Sequence, residues 1–303
     1  MILGASVSPD FAVSASSGKR WLVAVKAAAP MIALVLLPTS AGAQQRPLVT
    51  EDPETIGAGR VLLEGGVDYA SGATYPASGL EGGLVRFPLI GLSVGVSSIA
   101  EIQIDGASYD RLSITSRRPA PLSRMVTARG NSTSDAEDIV IGTKVRIAPE
   151  GTRRPAFAFR FATKLPNASN ESGLGLDTTD FFASILLGKT TQSIRIVGNV
   201  GVGILGDPTR GDRQNDVLTY GLSFARAVTN AAEAVGEVNG RVDTRNGAPP
   251  PGTESRGTVR MGARYTIGGW RADGALLLGL TTNDPGVGVT AGVTYVFSAF
   301  RVP

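Results

Sequence analysis

The sequence contains no cysteine and no histidine. Without cysteine there are no disulfides, no thiolate nucleophile, no zinc–thiolate site and no acylated lipoprotein cysteine. Without histidine, Ser-His-Asp hydrolysis, imidazole general bases and nearly all catalytic zinc sites are excluded. Charged residues are sparse, 18% of the chain against 42% apolar, a balance too apolar for a disordered chain. No apolar run approaches the 18 residues of a membrane-crossing helix. Only carboxylate, lysine or tyrosine chemistry is left to an enzyme, so a non-enzymatic role is expected, with no cofactor and no metal.

Glycine, by contrast, is abundant. The 39 glycines among 303 residues are about double the roughly 7% of average usage.

Residues 1–43 read as an export signal. Lys19, Arg20 and Lys26 precede an apolar stretch, Ala27 to Leu37, followed by Pro38-Thr39-Ser40-Ala41-Gly42-Ala43 with small residues placed as at an A-x-A cleavage site. The apolar stretch is 11 residues, short of the about 20 a spanning helix needs. This segment carries three of the 29 Lys/Arg and one of the 26 Asp/Glu, which leaves the remainder at a net charge of +1. No basic cluster points to nucleic acid.

Beyond the leader the period of the sequence is two. Val61, Leu63, Gly65, Val67 and Tyr69 alternate with Arg60, Glu64, Gly66 and Asp68; Val259, Met261, Ala263, Tyr265 and Ile267 alternate with Arg260, Gly262, Arg264 and Thr266. Such alternation is the mark of amphipathic strands. Twelve segments follow it: 59–70, 82–96, 100–113, 137–147, 155–165, 177–188, 193–205, 216–227, 231–242, 257–267, 269–281 and 287–297. The second loses parity near Pro88 and Gly91, where a bulge is expected. Connections after odd segments tend to be long and polar (71–81, 114–136, 166–176, 206–215, 243–256), and those after even segments short. An even number of strands joined this way predicts an all-β fold, an antiparallel transmembrane β-barrel of about 12 strands in the outer membrane of a Gram-negative bacterium. Its parts would be a periplasmic segment 44–58, the barrel 59–297 and a short extension 298–303. The rival, a secreted soluble sandwich or jelly roll, shares the alternation. It does not predict alternating loop lengths, or aromatics near strand ends such as Tyr69, Phe181, Tyr265, Trp270 and Tyr295. Nor does it predict the closing pattern Val289, Ala291, Val293, Tyr295 and Phe297. That last strand, 287–297, resembles the segment by which such barrels engage the barrel assembly machinery.

In a lipid setting the polar face must line the lumen. Slipping 257–267 by one residue would expose Arg260 and Arg264 to lipid at a cost on the order of 4–8 kcal/mol. The expected lumen carries Arg60, Glu64, Asp68, Glu101, Gln103, Asp105, Lys144, Arg146, Arg160, Lys164, Arg195, Asn199, Glu233, Glu237, Asn239, Arg241, Arg260, Arg264, Arg271 and Asp273. These residues form either a mixed-charge constriction for solutes or a salt-bridge network that closes the lumen. The densest group is Glu233, Glu237, Asn239 and Arg241 with Arg260 and Arg264. Glu233 and Glu237, four residues apart on one strand, stand about 13 Å apart, too far for a glycosidase pair. The loop from Gly206 to Asp216 lacks the spacing of a calcium loop. The basic loop 114–136 (Arg117, Arg118, Arg124, Arg129) either meets anionic lipopolysaccharide or folds inward.

The second half of the chain carries Lys164-Leu165-Pro166 before a Ser/Gly loop, with Asp180 opening the next strand. It continues with Gly198-Asn199-Val200-Gly201, Tyr220-Gly221-Leu222 and Glu237-Val238-Asn239-Gly240. This resembles the outer-membrane transporter family described as a component of the MetA pathway of phenol degradation, over about residues 84–297. The resemblance implies an outer-membrane barrel associated with uptake of aromatic or other small hydrophobic compounds. The sequence reading is therefore a monomeric diffusion channel whose partners are outer-membrane lipid and a small-molecule solute. Its alternative is a closed structural or surface-interaction barrel.

Overall fold

The structure, a computed structural model, describes residues 46–106 and 109–301; the expected signal peptide lies outside the described residues. Alternating sequence becomes strand almost throughout: β1 Arg60–Tyr75, β2 Leu80–Gly95, β3 Ala100–Gly106, β4 Tyr109–Arg117, β5 Ser132–Ala136, β6 Ile139–Ala148, β7 Ala156–Leu165, β8 Asp180–Thr191, β9 Ile194–Gly206, β10 Gln214–Ala227, β11 Ala232–Asp243, β12 Arg256–Ile267, β13 Trp270–Gly279 and β14 Val287–Ser298. All pairings are antiparallel, neighbours from β6 to β14 follow chain order, and β1 pairs with β14 from Arg60↔Ser298 to Ser71↔Val287, which closes the sheet. β3 and β4 both pair with β2, on its C-terminal and N-terminal halves, while β6 pairs with β3 and β5 with β4. β3–β4 and β5–β6 thus act as two long staves, and the barrel has twelve. Among the described residues only the short β5 has a single strand neighbour; every other strand is paired on both sides, the condition for a sheet to stand in lipid.

The faces divide as the period of two requires. Leu63, Val67, Tyr69, Phe181, Val200, Val202, Leu222, Met261 and Leu276 are exposed on the outer wall, whereas Leu62, Glu101, Lys144, Leu186 and Glu237 are buried on the inner. Trp270 stacks on Tyr295 at 4.3 Å and Tyr295 on Phe297 at 5.4 Å, giving an aromatic patch at the short-turn end, where such rings sit between lipid and water. The bulge expected in β2 is present. Gly66 pairs with Leu89 and Asp68 with Arg86, so Val67 faces two residues, Phe87 and Pro88. The proline, which has no N–H to donate, occupies the irregular position. Gly91 pairs regularly with Glu64.

Two features differ from the expectation. The first hairpin is not joined by a long loop over 71–81: β1 and β2 each run 16 residues and leave only 76–79 between them. Sixteen residues at about 3.3 Å, tilted near 45°, rise about 37 Å against an apolar band of about 25 Å. The hairpin therefore outgrows the membrane, and its outer part no longer needs the amphipathic alternation that marks a strand in sequence. The second difference concerns 114–136. Its ends extend β4 and form β5, while Leu122 and Val126 are buried. Val126 packs with Ala73, Leu80, Leu84 and Leu112, so this loop folds onto the barrel mouth.

Candidate functional site

The segment before β1, expected to hang in the periplasm, lies inside the barrel. Arg46 donates from its guanidinium to Thr290 Oγ1 (2.8 Å) and the Ala291 carbonyl (3.0 Å), and faces Asp273 at 3.6 Å. The main-chain N–H groups of Val49 and Thr50 donate to the Glu237 carboxylate at 2.9 and 2.8 Å. Glu51 donates from its N–H to Asn199 Oδ1 (2.7 Å) and accepts from Asn199 Nδ2 (2.8 Å). The Ile56 N–H donates to Glu101 Oε2 at 2.7 Å. An extended segment without a strand partner has orphaned main-chain donors, and wall side chains supply the acceptors.

Charge completes the fit. Glu51, Asp52 and Glu54 meet a basic arc of the wall: Glu51 pairs with Lys144 (3.2 Å) and Arg160 (3.1 Å), Asp52 with Arg195 through two hydrogen bonds (2.6 and 2.8 Å), and Glu54 with Arg146. Lys144 also pairs with Glu101 at 3.0 Å, and both side chains have 0% exposure. Inward glycines make the room. A side chain at Gly66 or Gly292 would run into the Arg46 guanidinium, and one at Gly221 into Thr50. These glycines are places where the segment touches the wall, a more specific reason than lumen width alone.

The residues expected in the lumen divide into groups. Glu64, Glu101, Lys144, Arg146, Arg160, Arg195, Asn199, Glu237, Arg260, Arg264 and Asp273 contact the N-terminal segment. Gln103 donates to Glu101 (3.0 Å) and accepts from Arg160 (2.7 Å). Asp105 faces Arg160 at 3.6 Å, Lys164 pairs with Asp138 and Asp180, and Asn239 donates to Glu237. Glu233 lies between Arg264 (4.0 Å) and Arg271 (3.8 Å). Asp68 pairs in register with Arg86, and Arg60 stands at the start of β1. Arg241 donates to the carbonyls of Glu254 and Gly252. Within the dense group Glu233 faces Arg264 and Arg271, Glu237 holds the segment and pairs with Arg260 at 3.7 Å, and Arg241 holds a loop.

Sequence reasoning missed Arg46, Glu51, Asp52 and Glu54. Their signal was present as three acids within four residues ahead of a wall rich in bases. It also missed Arg86, hidden by the parity slip beside it, and Arg256, which opens β12.

Three cavities adjoin one another on the long-loop side of the segment. The outer, about 320 Å³, is lined by Tyr75, Leu84, Leu174, Leu176, Arg86, Arg241 and Arg256 among others. The middle, about 280 Å³, shares Leu84, Arg86, Arg256 and Pro285 with it. The deepest, about 370 Å³, shares Val49, Asp68, Arg86, Arg260 and Thr290 with the middle one and has Arg46, Pro47, Leu48 and Glu51 in its lining. A row of cavities thus runs from the long-loop end to the N-terminal segment.

The same architecture occurs in an outer-membrane channel from Pseudomonas putida F1. That structure superposes with a TM-score of 0.58 at 12% identity, over 81% of this chain and 98% of the other. The chain is an outer-membrane β-barrel. Looser likenesses are to the NanC porin (TM-score 0.47, 10% identity, 80% of this chain and 100% of the other) and to a deletion mutant of the TodX monoaromatic hydrocarbon channel (0.39, 12%, 82% and 93%); at those scores they bear on nothing further. No protein-family model and no curated protein sequence matches the chain. For this outer-membrane barrel, the long connections 118–131, 166–179 and 244–255 mark the extracellular end and the short turns the periplasmic end.

Proposed function

We propose that this barrel is a non-enzymatic channel for small solutes whose path is closed by its own N-terminal segment and opens when that segment moves. The observation that carries the proposal is the row of cavities ending on residues 46–51, with the segment held by side chains and not by strand pairing. A segment fastened by a few ion pairs and hydrogen bonds exchanges positions more readily than a stave of the barrel, whose release would break a whole ladder. The apolar share of the cavity lining, with the resemblance to the MetA-pathway transporter family, favours solutes with an aromatic or hydrophobic body. The chain works as a monomer in outer-membrane lipid and reaches it through the barrel assembly machinery, with β14 as the recognition strand. The closed-barrel reading has one observation in its favour, the fully buried Lys144–Glu101 pair among many lumenal ion pairs. Planar-bilayer recordings decide between them. A channel conducts, and deletion of 46–56 raises its conductance; a structural barrel is silent with and without the segment.

A further inference from the structure

Resting on the channel reading, we infer that the outer cavity is a binding site for small organic anions with an apolar body, of the aromatic or alicyclic monocarboxylate class. Arg86, Arg241 and Arg256 line this cavity together with Tyr75, Leu84 and Leu176, and no carboxylate lines it. Guanidinium groups usually reach the lumen of a barrel already matched to acids, as Arg160 and Arg195 are here. Two of the three, Arg241 and Arg256, are not so matched. Arg241 donates to two main-chain carbonyls, at 2.9 and 2.6 Å, and Arg256 to one, Thr74 at 3.2 Å; among the described residues neither forms an ion pair within 4.0 Å. Arg86 differs: it forms ion pairs with Asp110 at 3.7 Å and Glu137 at 4.0 Å, although its buried Nε has no hydrogen-bond acceptor.

Two guanidinium forks without an acidic partner, Arg241 and Arg256, beside apolar walls in about 320 Å³ suit one carboxylate and one small ring. Arginine binds a carboxylate through two parallel hydrogen bonds, while the Tyr75 and leucine surfaces cover the hydrophobic body. The middle cavity continues the series with Arg256 and Arg260, but there Asp68 and Asp284 are also in the lining. The positive potential is therefore greatest at the outer end, where a solute would arrive. A neutral hydrocarbon would gain nothing from these arginines. An inorganic anion would gain nothing from the apolar walls.

Isothermal titration of the detergent-solubilised chain with benzoate, benzyl alcohol and inorganic phosphate tests this. Benzoate binds about tenfold or more tightly than the other two, since a charged hydrogen-bonded pair is worth roughly 1.4 kcal/mol or more. R256Q weakens benzoate binding by about tenfold while the variant keeps its heat-modifiable gel mobility, and R256K recovers part of the loss. R241Q does the same, and serves as a second probe on a different stave. Equal affinity for benzoate and benzyl alcohol, equal affinity for benzoate and phosphate, or benzoate affinity unmoved in correctly folded R256Q overturns the inference. Conductance on the same preparation separates this from the channel reading. Benzoate binding without conductance upholds the site and removes the channel. Conductance without benzoate binding removes the site and leaves the channel.

Discussion

Lys144 has its ammonium at 3.0 Å from Glu101 and 3.2 Å from Glu51, with no exposure to solvent. One base between two acids, one from the wall and one from the N-terminal segment, couples the plug to the barrel at a single atom. Removing one partner of a buried pair leaves an uncompensated charge, at a cost of about 3–5 kcal/mol. K144A is therefore expected to lower the unfolding free energy of the refolded barrel, read from urea titration, by about 3–5 kcal/mol. K144A/E101L, which removes the wall's share of the charge together, loses less. Equal losses in the single and double variants would deny the pairing. Glu150, in the periplasmic turn 149–155, plays a similar part outside the membrane. Burial tends to raise its pKa, but hydrogen bonds from Lys189 and from the Thr190 N–H and hydroxyl, with the nearby Arg195 charge, outweigh it and lower the value from 4.5 to about 2. A carboxylate depressed on folding stabilises above its unfolded pKa, and the contribution is lost as the pH falls from about 4.5 through about 2. E150Q is expected to lower the urea midpoint at pH 7 and to flatten its decline across that window. Because Arg195 bridges Glu150 (2.6 Å) and Asp52, the same variant loosens the plug.

At the level of the elements, the strands that cross lipid were legible because lipid enforces the alternation. Each of the twelve expected segments overlaps a stave, and 257–267 differs from β12 by one residue. Strand that rises beyond the membrane was not legible. Ser132–Ala136 has no large apolar residue yet pairs with β4 from Tyr109↔Ala136 to Ser113↔Ser132, since main-chain hydrogen bonds do not require an apolar face in water. The N-terminal segment was illegible for a different reason. It has no periodicity, and its place depends on acceptors from β3, β9 and β11 that are distant in sequence. Its acids made sense only once the bases of the wall were seen to converge. A direct check on the faces is an arginine at Val200, which is exposed on the outer wall of β9. V200R is expected to destabilise the barrel in vesicles by about 2–4 kcal/mol. No loss would mean that this wall does not face lipid.

In the whole molecule, a closed barrel, an internal segment and a row of cavities together make up the proposed gated path. The lack of cysteine makes its central claim open to a clean test, because any thiol must be an introduced one. A Cβ at Gly221 would lie 3.4 Å from the Thr50 Cβ, close to the about 3.5–4.5 Å that a disulfide spans. T50C/G221C would thus fasten the segment to β10 when oxidised and free it when reduced. The measurement is single-channel conductance of this variant in planar bilayers, before and after a reductant. The account predicts a silent or low-conducting channel when oxidised, and openings like those of the unaltered chain once reduced. The same conductance in both states would contradict it, since a solute path that ignores a tethered segment is not gated by that segment.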